Sequence, residues 1–292
     1  MSTQPFDGVL QRVETLIDRL ETLLPASPPA PAWQASIAFR WRKQNGRGYL
    51  QAVKHPHKIH LRDLRDIDDQ KQAIERNTRQ FVEGRPANNV LLTGARGTGK
   101  SSLVKALLTK YAAKGLRLIE VEKRDLADLP DIVDLIYDRP ERFILFCDDL
   151  SFAAEEPGYQ ALKAILDGSI AAPSDNLLVY ATSNRRHLMP EYMDENLEAR
   201  HAGGEVHPGE ATEEKISLSE RFGLWLSFYS FDQDAYLDIA RHWVTQLGGT
   251  EKPEMERAAL NWALARGSRS GRVAWQFARD WVGQQTSAPK RK

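Results

Sequence analysis

The stretch NVLLT-GARGTGKSS, residues 89–102, constrains this chain more than any other. The short apolar run reads as a buried strand, and the periodic segment from Lys100 to Lys114, closed by Gly115, reads as a helix. Between them the residues fit G-x-x-x-x-G-K-[ST] in full: Gly94, Ala95, Arg96, Gly97, Thr98, Gly99, Lys100 and Ser101, with Ser102 behind. Glycines let a backbone curl so that its N–H groups point inward at phosphate oxygens, and a helix N-terminus adds partial positive charge. The pattern therefore predicts a nucleotide phosphate site. Lys100 would reach the terminal phosphates and the Ser101 hydroxyl would ligate magnesium.

Such a site needs an acid for the metal. RFILFCDDLSF, residues 142–152, supplies it: an apolar strand ends in Asp148 and Asp149. The carboxyl ends of strands are where open α/β sheets bind ligands. Asp148 is expected to hold magnesium through water, and Asp149 to polarise the attacking water. A further strand, NLLVYATSN, ends in Asn184, whose amide suits a role beside that water or the γ-phosphate. Arg221 lies at a helix end before a strand in SLSERFGLWLSF. Arg272 lies in the first turn of a helix in SRSGRVAW, with Ser270 as N-cap. An arginine there opposes the helix dipole unless an anion lies close by. Taken alone, each arginine is equally consistent with a surface salt bridge.

Strands and helices alternate from about residue 68 to 230, which implies a parallel sheet covered on both faces. Three helical segments without strands follow, separated by Gly-Gly and Gly-Ser breaks. The expected organisation is thus an N-terminal helix, proline-rich linker and basic hairpin over 1–60, an α/β core over 61–230, a small all-α unit over 231–285 and a disordered tail over 286–292. In the N-terminal segment, Val9, Val13, Leu16, Leu20 and Leu23 mark one face of an amphipathic helix. The loop of residues 189–215, rich in charges and glycines, reads either as a partner contact or as a surface insertion.

Charge sharpens one region only. Lys plus Arg and Asp plus Glu are both 40, so no global excess points to nucleic acid or an anionic membrane. Residues 36–62, however, hold Arg40, Arg42, Lys43, Arg47, Lys54, Lys58 and Arg62 and no acid. Alternation about Asn45-Gly46 predicts a β-hairpin. Its cations are either a solvated edge or basic face against acidic core residues, or a phosphate-contacting surface for DNA, with Trp41 and Tyr49 for stacking. His55, His57 and His60 lack the cysteine or carboxylate that would complete a metal site. Cys147 is the single cysteine, which excludes a disulfide framework and suits a reducing cytoplasm. No apolar stretch is long enough to cross a membrane as a helix, and no secretory signal is visible.

The strings GARGTGKSSLVKALL, DDLSF, YATSNRRHL, EEKISLSERFGLWLSFY and SGRVAWQF carry a resemblance. In this order they resemble the AAA+ ATPases, P-loop NTPases with a helical lid, over about residues 65–283. More closely they resemble a bacterial ATP-binding family catalogued as domain of unknown function 815. The resemblance implies that Lys100 and Ser101 form Walker A and that Asp148 and Asp149 form Walker B. It implies that Asn184 is sensor one, that Arg272 is sensor two and that Arg221 is an arginine finger acting on ATP held by a neighbouring copy. Residues around Ile67 and Asp68 would lie near the adenine. ATP and Mg2+ are the implied cofactors, a homo-oligomer the implied assembly, and a protein client its target. One departure stands out: the second Walker B acid is usually Glu in AAA+ motors, and here it is the shorter Asp149. That suggests a slow switch. Other readings stay open: an initiator- or loader-like DNA-binding ATPase, a P-loop small-molecule kinase and a non-hydrolysing nucleotide-gated scaffold.

Overall fold

The computed structural model describes residues 12–16, 30–151, 156–167, 175–184, 200–202, 205–207 and 218–286. Most of the expected N-terminal helix, most of the 189–215 loop and nearly all of the tail lie outside them.

A seven-stranded sheet forms the body. Its strands are β1 (Ala38–Gln44), β2 (Arg47–Ala52), β3 (Val90–Gly94), β4 (Leu116–Glu120), β5 (Arg142–Cys147), β6 (Leu177–Ser183) and β9 (Leu224–Phe228), in the spatial order β2-β1-β4-β5-β6-β3-β9. All neighbours run parallel except β1 and β2, which pair antiparallel. A small separate hairpin joins β7 (Arg200–Ala202) to β8 (Glu205–His207).

β3, β5 and β6 read as continuous apolar runs because both faces of the sheet are covered. One face packs on α3 (Leu129–Ile136) and α4 (Pro157–Asp167) through Ile132, Ile136, Tyr159 and Leu162. The other packs on α1 (Asp68–Val82) and α2 (Lys100–Tyr111) through Ile74, Phe81, Leu103 and Leu107. Polar pins fix the register of α1. Asn77 donates to the Asn88 carbonyl at 2.8 Å and accepts from the Asn88 N–H at 2.9 Å. Thr78 shares a 2.8 Å hydrogen bond with the buried Tyr180 hydroxyl. These bonds tie α1 to the start of β3 and to β6, the strands that carry the predicted site.

The basic hairpin belongs to this sheet rather than to an N-terminal appendage. β1 pairs parallel with β4, with Arg40 opposite Glu120. Its turn residues Asn45 and Gly46 have φ of 51° and 77°, as a tight two-residue hairpin requires. The cations of β1 are engaged: Arg40 with Glu120 at 2.6 Å, Arg42 with Glu122 at 2.7 Å, and Lys43 with Asp128 at 2.8 Å. The hydrogen bond from Lys43 to Asp128, assisted by both Asp128 and Asp125, raises the lysine pKa. Trp41 is buried and donates its indole N–H to Asp128 at 2.8 Å. The strand that offered stacking and phosphate contacts therefore spends Trp41, Arg40, Arg42 and Lys43 on its own neighbours. For these four residues, that favours the reading of a basic face paired with acidic neighbours.

After β9 come α5 (Gln233–Gln246), α6 (Met255–Ala265) and α7 (Gly271–Thr286), which share their own core around Tyr236, Ala240, Ala259 and Phe277. The Tyr236 hydroxyl donates to the Ala259 carbonyl at 3.0 Å. No described helix is long and apolar enough to cross a membrane.

Candidate nucleotide site

The loop after β3 is shaped by close approach. Gly94 has φ 118°, and a Cβ there would lie 1.9 Å from the Phe228 carbonyl oxygen of β9. The adjacent Ala95 N–H donates to that same oxygen at 3.0 Å, so any side chain at Gly94 would break the seam. Gly97 lies against the helical unit instead: a Cβ there would meet Ser270 Oγ at 2.9 Å. Arg272 N–H donates to the Gly97 carbonyl at 3.3 Å, and Ser270 Oγ accepts from Val273 N–H at 3.3 Å as the expected N-cap. The start of α7 is thereby docked on the loop.

A cavity of about 670 Å³ opens there. Arg96, Gly97, Thr98, Gly99, Lys100, Ser101 and Ser102 line it from the loop and α2, Asp148 and Asp149 from the end of β5, and Asn184 from the end of β6. Arg272 lines it from α7, and Ile67 from the segment before α1. The other expected members do not line it. Gly94 and Ala95 connect to it through carbonyls that accept from Lys100 Nζ at 2.8 and 2.7 Å. Asp68 begins α1, outside the cavity, where its exposed carboxylate meets Lys71 at 2.6 Å. Arg221 is also outside, ion-paired with Asp167.

Inside, the polar groups form one network. Lys100 Nζ also donates to Asn184 Oδ1 at 3.1 Å, and Asn184 Nδ2 donates to Asp149 Oδ1. Ser101 Oγ donates to Asp148 Oδ1 at 2.6 Å. Lys100 is 6% exposed. Burial lowers its pKa against the opposing pull of Asp148 and Asp149, and Arg272 and Arg96 lower it further. Lys100, Arg96 and Arg272 around one hollow suit a polyphosphate. The adjacent Ser101 hydroxyl and Asp148 carboxylate are the hard oxygen donors that magnesium takes. Just behind, the Cys147 thiol is pushed up to about 12 by burial and takes no part.

The sequence reading missed two groups of residues. Thr182 also donates to Asp148 Oδ1 at 2.6 Å. Its only trace in the sequence is a hydroxyl residue beside Ser183 at the end of a mostly apolar strand. The second group is the far end of the cavity, lined by His57, Ile59, Leu64, Phe231, Trp243 and Trp275. Trp275 follows Arg272 by three positions and so shares its helix face. The others come from segments with no shared motif.

Comparison with known proteins bears on the fold. Solved structures share the fold at low identity. The Aeropyrum pernix Orc1 protein, solved with DNA, is 16% identical, with a TM-score of 0.54 over 78% of this chain and 62% of that one. A proline-to-glycine mutant of Thermotoga maritima RuvB is 14% identical, with a TM-score of 0.51 over 75% and 64%. The T. maritima RuvB Holliday junction branch migration motor is 15% identical, with a TM-score of 0.48 over 75% of this chain. The chain spans 63% of that motor's length. No curated relative matches the sequence. The fold is that of P-loop AAA+ ATPase domains. Residues 34–285 match the family described as Protein of unknown function (DUF815), and the chain belongs to it.

Proposed function

We propose that the chain is a magnesium-dependent ATPase, working as a slow nucleotide switch on a partner protein. One observation carries this reading: Lys100, Ser101, Asp148, Asp149, Asn184 and Arg272 converge on a single cavity at the carboxyl ends of three strands. Lys100 and the loop N–H groups would hold the phosphates, and Ser101 and Asp148 the magnesium, which would neutralise charge on the phosphates. Asp149, held by Asn184, would be the base that polarises the attacking water. Arg272 belongs to a helix already docked on the loop, so a phosphate bound beside it would couple the helical unit to the nucleotide. Arg221 would serve a neighbouring copy, since its guanidinium lies outside its own cavity.

Phosphate release with and without magnesium, and ATP binding by titration calorimetry, test the reading. Lys100→Ala should weaken ATP binding about 10²-fold, as loss of charge-assisted hydrogen bonds worth roughly 1.5–3 kcal/mol each implies. Full-strength binding by that variant would sink the phosphate site. The Asp149→Asn protein in ATP is the form to use for partner capture, because it should bind nucleotide and stall.

A further inference from the structure

We infer that Thr182 is a positioning residue for this site, setting the orientation of both carboxylates with one hydroxyl. The inference rests on the proposed ATPase reading and adds a residue to it.

Thr182 lies in β6 after Leu178, Val179, Tyr180 and Ala181, all buried, and is itself 2% exposed. A hydroxyl at that depth needs partners. It finds two, one on each functional aspartate. Its proton goes to Asp148 Oδ1 at 2.6 Å, the oxygen that also accepts from Ser101. Its lone pair accepts the Asp149 backbone N–H at 2.9 Å. The Thr182 carbonyl then accepts the Leu150 N–H at 2.6 Å. Two successive N–H groups after β5 are thus anchored on one residue.

The anchoring matters because Asp149 has φ 53°. That left-handed conformation is sparsely populated by residues other than glycine and persists where the surroundings hold it. Here the holders are Thr182 at the backbone and Asn184 at the side chain. The resulting turn sends the Asp149 carboxylate toward Asn184, beside Lys100. With Asp148 Oδ1 pinned by the threonine, its carboxylate faces Ser101 in a fixed rotamer. Packing alone does not require this residue, since valine has the same branched shape without the hydroxyl. Thr182 itself need not touch nucleotide.

Wild type, Thr182→Val and Thr182→Ser, each checked by thermal melting, separate these roles. A fluorescent ATP analogue is titrated in EDTA and across a magnesium series, and phosphate release is measured in parallel. All three proteins should bind the analogue alike in EDTA. Thr182→Val should need about tenfold more magnesium, or beyond, to reach the tight-binding form, the range for loss of a partner that orients a metal ligand. Its turnover should fall with it, and Thr182→Ser should recover both. If Thr182→Val fails to fold, Thr182→Ala takes its place. A wild-type magnesium response together with wild-type turnover in the hydroxyl-less variant overturns the inference. So does a serine variant as impaired as valine. A wild type that binds no nucleotide would instead remove the ATPase reading on which the inference stands.

Discussion

Two groups of cations meet different partners in the fold. The hairpin of β1 and β2 carries Arg40, Arg42 and Lys43, and the site carries Arg96, Lys100 and Arg272. In the hairpin each of the three reaches a carboxylate on β4 or just beyond it. The site cations converge instead on a hollow. Its two acids are already committed to Ser101, Thr182 and Asn184. A run of basic residues therefore says little until its tertiary partners are known. Paired across strands, it is part of the sheet. Aimed at a cavity on a helix N-terminus, it is the arrangement that suits an anion.

Arg221 tests which class a third cation belongs to, and carries the largest expected effect. If it acts across subunits, Arg221→Ala should lower turnover about 10³-fold, the low end of an arginine finger's contribution, with ATP binding intact. Specific activity of the wild type should also rise with protein concentration. Unchanged turnover would place Arg221 with the hairpin cations, as a surface partner of Asp167. Next comes Asp149→Asn, expected to cost about 10²-fold in turnover while keeping ATP affinity, the lower range for a lost general base. Single-turnover phosphate release decides it, and an unaffected rate removes Asp149 from the chemistry.

Arg272→Ala should weaken ATP binding about tenfold, one charge-assisted hydrogen bond's worth, and leave ADP less affected. Equal effects on both nucleotides would mean that Arg272 does not sense the terminal phosphate. The smallest effect belongs to the hairpin. Arg40→Gln and Arg42→Gln should each change unfolding free energy by under about 1 kcal/mol, because these pairs are partly exposed. Denaturant titration measures that, and ATP affinity should not move. Loss of salt-sensitive binding to DNA in these two variants would reverse the view of the hairpin as sheet structure.

The glycine-rich loop was legible because its pattern is local. Gly94 to Ser102 are contiguous, and a backbone cradle needs consecutive residues of set types. Asp148, Asp149 and Asn184 were legible for a related reason: each follows an apolar run, and strand ends of a parallel sheet share one edge. The three helices after residue 231 showed their period and their breaks, and Ser270 announced its cap. The remaining lining of the cavity had no such signal. His57, Ile59, Trp243 and Trp275 are apolar or aromatic residues with ordinary core spacing, and only the docking of α7 on the loop brings them to one wall.

By itself, then, the sequence determined the strand–loop–helix turn of Gly94 to Ser102, the acids beside it and the helical character of the segments after residue 231, since all of these depend on neighbours within a few residues. Tertiary structure decided the rest. It joined the basic hairpin to the sheet edge and paired its charges there, because strand pairing links residues 80 positions apart. It left Arg221 outside its own cavity and turned Thr182 toward both aspartates. Those outcomes depend on which strands lie side by side, and no local pattern encodes that.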